Sequence, residues 1–383
     1  MEQFLRSFGI SEVEKIDPGY YEAAKHAMEQ HGNAVMDFAD HGCFTYMKEP
    51  LTAIRDKLLE DPRNVLYCWL LREAIRADDA EAVGILFAPH KEQKSEFYDS
   101  LAIFALVDCV PDMMEQHKAL GIPEEITRDT CAMFENQVQD FIDLQHRYGI
   151  SDYGTWMLKF VRSRLIRLGR FNFELLDYEE PYDVFERNGE LAVLPNGVTF
   201  HKSGRVLGSI DCEDPEGSFH GTITETDAYY EGLKIENGLC LHETVRLAKS
   251  EWKPVVTKGD RVVGVHIPSG EALTPEICDR DLARAREIIP RCFGPFKAFY
   301  TESWLLDPQI KPLFGKVTNL TRFHDRFTVY PRLSDGTAMF SYVFWVPADT
   351  PTEELPESSS FAKAVKQHLL NGGHIYDTNG VFL

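Results

Sequence analysis

The hydrophobic period changes once along this chain, near Gly169, and the change limits what the chain can fold into. Up to about residue 168 the apolar residues recur at helical spacing. Ile126, Phe134, Val138, Phe141, Leu144 and Tyr148 fall mostly at three- and four-residue steps, which predicts one helix with a single apolar stripe. Punctuation agrees. Pro18 opens a helix that Gly32 closes, Asp61-Pro62 separates two more, and Leu120-Gly121-Ile122-Pro123 is a stop followed by a start. Helices this short gain little from propensity alone, so they are expected to bury their stripes against one another in a bundle.

After Gly169 the apolar runs shorten and alternate. Leu191 to Leu194 and Gly197 to Phe200 flank Pro195-Asn196 and predict a hairpin, whereas residues 211–238 predict only loops and short strands. RVVGVHI (261–267) predicts an inner strand. Thr274-Pro275-Glu276 follows as a helix start, with Thr as N-cap and Pro in the first turn, and Pro290 is expected to end that helix. Strands are expected from Phe296 to Leu305, Met339 to Val346 and His374 to Phe382. Helices are expected over Asn319 to Phe327 and Phe361 to Leu370. The expected class is α+β: a helical bundle over 1–168, then a mixed α/β sheet domain over 169–383. A length of 383 residues exceeds one ordinary core, so two domains are the default.

The formal net charge of −21 disfavours nucleic acid and anionic membrane as partners. No apolar run is long enough to span a bilayer, and the start MEQFLRSFGISEVEK lacks the layout of an export signal, so a cytoplasmic location is expected. None of the eight cysteines has CxxC spacing or joins a Cys/His zinc pattern, so no metal is expected and most are expected as small buried apolar groups.

Four segments carry a resemblance: VVGVHIPSGEALTPEICDRDLARAREIIP (262–290), FYTESWLLDP (299–308), TNLTRFHDRFTVYP (318–331) and FAKAVKQHLLNGGHIYDTNGVF (361–382). Together they resemble the GNAT-like C-terminal domain of bacterial acyltransferase-domain proteins, in which a helical domain comes first. The resemblance implies N-acyl transfer from acyl-CoA to a small amine by direct attack on the thioester. It also implies that Ile267, Ser269 and Gly270, before the helix at Pro275, meet the cofactor. Apart from the resemblance, Lys159, Arg162, Arg164, Arg167 and Arg170 form a basic run, expected either to receive cofactor phosphate or to complement a helix C-terminal end and pair with neighbouring acids. The superfamily's glycine-bearing phosphate loop is represented here by Gly270 alone, with Glu271 and Glu276 beside it. A GNAT-derived module that binds a ligand or a protein without catalysis is therefore the second expectation.

Amide formation calls for a base, a donor for the thioester oxygen and an acid for the thiolate. His266 ends the inner strand just before Pro268, and imidazole is a side-chain type suited to the work of a base. Glu302 shares a strand face with Tyr300 and Trp304. That aromatic flank favours a raised pKa, and an arginine partner is the structural alternative. Tyr330 is an acid by type. Ser303, Trp304, Arg322 and Arg326 are candidate substrate contacts, the two arginines four apart and so expected on one helix face.

Overall fold

The computed structural model describes residues 1–38, 41–87, 98–150, 154–268 and 270–383. The chain divides into two compact units, Met1–Asn172 and Phe173–Leu383.

The first unit is helical. Asp17 caps the helix Pro18–His31 through its side chain, and Gly32 follows the last turn as expected. The helices Lys48–Leu58 and Pro62–Arg76 meet at Asp61, whose carboxylate accepts from the Arg63 N–H. Leu101–Asp108 is apolar all round, and Leu101 to Val107 are all buried, which places it at the centre of the unit. Glu135 does the work of a cap from a distance. Its Oε1 accepts the N–H groups of Thr45, Tyr46 and Met47 at 2.8, 2.9 and 3.0 Å, just before the helix that starts at Lys48. The single helix expected from Ile126 to Tyr148 is two, Glu124–Cys131 and Met133–Gln145. Thr130 turns its hydroxyl onto the Ile126 carbonyl at 2.7 Å, a back-bond that bends helices.

The second unit contains most of the larger sheet, whose strands lie in the spatial order Leu165–Leu168, Phe171–Asp177, Arg261–His266, Phe299–Ser303, Thr378–Phe382 and Thr328–Pro331. Arg261–His266 is thus an inner strand, as its apolar run predicts. It runs parallel to Phe299–Ser303, which pairs antiparallel with Thr378–Phe382. Val262, Ala298, Tyr300, Tyr330 and Val381 share one face of the sheet and pack with Val184, Val193, Phe200, Cys240 and Val256 from smaller sheets. On Pro275–Phe293 the Arg286 guanidinium lies 5.0 Å from the centre of the Phe299 ring. Thr274 caps that helix by accepting from the Ile277 N–H, as expected. The helix does not stop at Pro290 but runs to Phe293, because a proline one turn from the end forfeits only one internal bond.

Two strand expectations are corrected. Glu190–Pro195 pairs with Tyr182–Arg187 across Asn188-Gly189, whereas Val198–Phe200 pairs with Phe219–Gly221, so Pro195-Asn196 joins two sheets instead of turning a hairpin. Residues 229–248, partly expected as loop, form a second long hairpin about Asn237-Gly238. The run Met339 to Val346 is helical over Phe340–Phe344, with Trp345 left-handed after it. Its apolar residues fill a separate small core with Ile310, Leu355, Ala362, Val365 and Ile375. Continuous apolarity there reports burial, not extension.

Candidate functional site

The inner strand is held by Val262, Val263 and Val265, all fully buried. Its parallel ladder with Phe299–Ser303 is short. Val263 faces Phe299 and Gly264 faces Tyr300, with the Val263 N–H donating to the Ala298 carbonyl at 3.0 Å. Beyond that the pattern changes. The Val265 carbonyl accepts from the Thr301 hydroxyl at 2.8 Å. Pro268 follows and brings no N–H. The backbone ladder between the two parallel strands thus ends after Gly264 and Tyr300, where the Thr301 hydroxyl takes its place at Val265, and by alternation residues 263, 265 and 267 turn their peptide groups toward the neighbouring strand.

His266 stands at the open end. Its Nε2 lies 2.8 Å from Glu174 Oε2, on the neighbouring strand Phe171–Asp177. Glu174 is buried and His266 half-buried. Gly264 makes this possible: a Cβ on it would come within 3.3 Å of both His266 Nε2 and Glu174 Cβ, so the imidazole folds back over a residue without a side chain.

On the adjacent strand Tyr300, on the same face as Gly264, donates to Asn379 Oδ1 at 2.8 Å and reaches Glu180 Oε1 at 3.1 Å, while Asn379 Nδ2 donates to Glu180 Oε2 at 2.8 Å. Burial, with the Glu180 charge beside it, pushes the Tyr300 hydroxyl well above its ordinary pKa. Tyr330 is fully buried with its hydroxyl 2.8 Å from that of Tyr178, and burial raises its pKa too. Glu302 lies opposite Asn379 in the sheet, is exposed, and forms an ion pair with Arg332, the structural alternative to an aromatic pocket.

The other candidates are dispersed. Ser303 Oγ accepts from the Leu305 N–H at 3.1 Å and closes the turn after the strand. Trp304 stacks on Phe361 with ring centres 6.3 Å apart, and Phe361 on Phe314 at 4.2 Å. Arg322 is exposed on the helix Asn319–His324. Arg326 lies beyond that helix's end, so the two do not share its face as expected, and Arg326 pairs with Asp279 at 2.6 Å. Ile267 is half-buried and Gly270 exposed; Ser269 lies outside the described residues. Arg170 is buried in the first unit. Sequence reasoning missed Glu174, Thr301 and the Glu180–Asn379 pair. Glu174 left a signal, being the lone carboxylate within the apolar strand FNFELL.

The family model of the GNAT-like C-terminal domain matches residues 165–382, and that of the N-acyltransferase N-terminal domain matches residues 46–163. No curated protein matches the chain. Among solved structures, an acyltransferase in complex with decanoyl-CoA is similar at 20% identity over 84% of this chain and 78% of that one, with a TM-score of 0.56. An acyltransferase in complex with decanoyl-CoA and teicoplanin is 18% identical over 86% and 83% of the two chains, with a TM-score of 0.57. A mutant acyltransferase in complex with octanoyl-CoA is 17% identical over 100% of this chain and 98% of that one, with a TM-score of 0.62. Likeness at such identities is likeness of fold. With more than half its length matched by one family model, this chain belongs to the family of proteins that carry the GNAT-like C-terminal domain, preceded here by an N-acyltransferase N-terminal domain.

Proposed function

We propose that this protein is an acyl-CoA-dependent N-acyltransferase whose acceptor amine attacks the thioester directly. Residues 1–168 form its helical domain and residues 169–383 its transferase domain. The observation that carries the reading is the end of the backbone ladder between two parallel strands at Val265 and Thr301, with the His266–Glu174 pair just beyond it. The thiol arm of the donor lies where the ladder ends, and the peptide groups of Ile267 hydrogen-bond to it. Gly270 continues the path toward the phosphates. The amine nitrogen attacks the thioester carbon, forming the C–N bond. Its proton passes to His266, the C–S bond breaks, and the CoA thiolate leaves and takes up a proton. His266 is preferred to Glu302 as the base because the Glu302 carboxylate is already engaged by Arg332. Tyr330, buried against Tyr178, is assigned no proton transfer. The structures in complex with decanoyl-CoA and octanoyl-CoA support a medium-chain acyl-CoA as donor.

A binding module without catalysis is the second reading, and one observation favours it. Glu276, in the first turn of Pro275–Phe293, is held below the usual carboxylate range by a hydrogen bond from its own backbone N–H and one from Thr274. An ionised carboxylate therefore stands where a helix start would otherwise attract phosphate. Calorimetric titration with acetyl-, octanoyl- and decanoyl-CoA, followed by thiol release over a panel of primary amines, separates the two. The enzyme binds an acyl-CoA and releases thiol only with amine present. His266→Ala then keeps donor affinity and lowers turnover about a hundredfold, the usual size of a general-base contribution, and Glu302→Gln lowers it less. Absence of binding to all three donors leaves the module reading.

A further inference from the structure

We infer that Glu174 is a positioning residue that fixes the tautomer of His266, so that the acceptor's proton is taken at Nδ1; the inference rests on the acyl-transfer reading. An ionised carboxylate only accepts hydrogen bonds. With Glu174 Oε2 2.8 Å from His266 Nε2, the neutral imidazole carries its hydrogen on Nε2 and its lone pair on Nδ1. Glu174 is only 8% exposed, so water competes weakly for its oxygens. Both residues sit on adjacent strands of one sheet, and Gly264 between them provides the space in which the ring lies. When Nδ1 takes the proton, both ring nitrogens become donors. The Glu174 carboxylate then faces an imidazolium, which it stabilises more than it does the neutral ring. Glu174 touches no reacting atom; its effect is on which nitrogen is basic and how basic it is.

Two measurements test this. In protein labelled with ¹⁵N-histidine, the long-range ¹H–¹⁵N pattern of His266, assigned by its loss in His266→Ala, is expected to show the Nε2–H tautomer. That spectrum needs neither donor nor acceptor, so it decides the inference even if no acyl-CoA binds. An Nδ1–H tautomer overturns it. Kinetically, Glu174→Gln keeps the shape but allows either tautomer. It is expected to lower kcat about a hundredfold while KM for the amine and Kd for octanoyl-CoA stay within about threefold. Loss of thermal stability with kcat per folded molecule unchanged would mean a structural role only and would also overturn the inference. Should Glu174→Gln fail to fold, the wild-type spectrum still decides.

Discussion

Gly264 is the residue on which the site's geometry depends most, although it bears no chemistry. A methyl added there would stand 3.0 Å from Leu176 Cδ2 and 3.3 Å from both Glu174 Cβ and His266 Nε2. The strand is inner and its backbone is held on both sides, so the facing side chains, Leu176 first and the imidazole with it, give way. Gly264→Ala is therefore expected to cost about 1–3 kcal/mol of stability, the usual range for overpacking. It should also lower turnover at least tenfold, because a base displaced by an ångström loses its alignment. Urea unfolding together with steady-state kinetics checks both parts. Unchanged turnover would show that the ring does not need its place over Gly264. The sequence shows His266 because a histidine before a proline at the end of an apolar run is conspicuous. It hides the partner. Glu174 and His266 are 92 residues apart, and only the lateral order of two strands brings them together. Glu302 illustrates the opposite case. The strand face it shares with Tyr300 and Trp304 could be read locally, but Arg332, which holds it, lies on a strand-end segment of its own.

Elements whose signals are local were legible, and those decided by tertiary burial were not. The cap at Thr274, the stop at Gly32 and the break at Asp61-Pro62 are chemistry between near neighbours, and all three appear in the structure. The run MFSYVFWV is apolar because it fills a side core, and nothing within it distinguishes a buried helical turn from a strand. Asn188-Gly189 is a different kind of miss, since the signal was local and strong. Asn188 has φ 50° and Gly189 φ 86°, the left-handed pair that a tight hairpin requires. Pro195-Asn196 drew the hairpin away from it. A Cβ on Gly189 would meet nothing within 4 Å, so a substitution there isolates the backbone cost. Gly189→Ala is expected to destabilise the protein by about 1–2 kcal/mol, the cost of a left-handed L-residue, with donor affinity unaltered. Chemical denaturation with a parallel octanoyl-CoA titration checks it. A neutral effect would mean that the hairpin tolerates another turn.

Charge acts on the molecule as a whole. A chain of net charge −21 is asked, in the proposed reaction, to bind a polyanionic donor and a cationic or readily protonated amine. The basic residues Lys159, Arg164 and Arg167 do little to offset this. Arg164 pairs with Asp78 at 2.6 Å, Arg167 reaches Asn172 at 3.4 Å and Lys159 lies over the Trp156 ring at 5.6 Å, so these cations are engaged within the first unit. The long-range field therefore opposes approach of acyl-CoA and favours that of the amine. Screening weakens both tendencies, because the Debye length shortens from about 20–30 Å at low salt to about 8 Å at physiological ionic strength. The association rate of octanoyl-CoA is thus expected to rise several-fold between low and physiological salt. Over the same range kcat/KM for a cationic amine should fall. Dissociation of the donor should change little, because short-range contacts of a bound molecule are screened less than the long-range field it crosses on approach. Stopped-flow mixing at three ionic strengths measures the first effect and steady-state kinetics the second. A donor association rate that falls with salt would mean that a local cationic surface outweighs the acidic field. The engagement of Arg326 by Asp279 would then be the first contact to re-examine, with Arg326→Ala expected to abolish the salt effect.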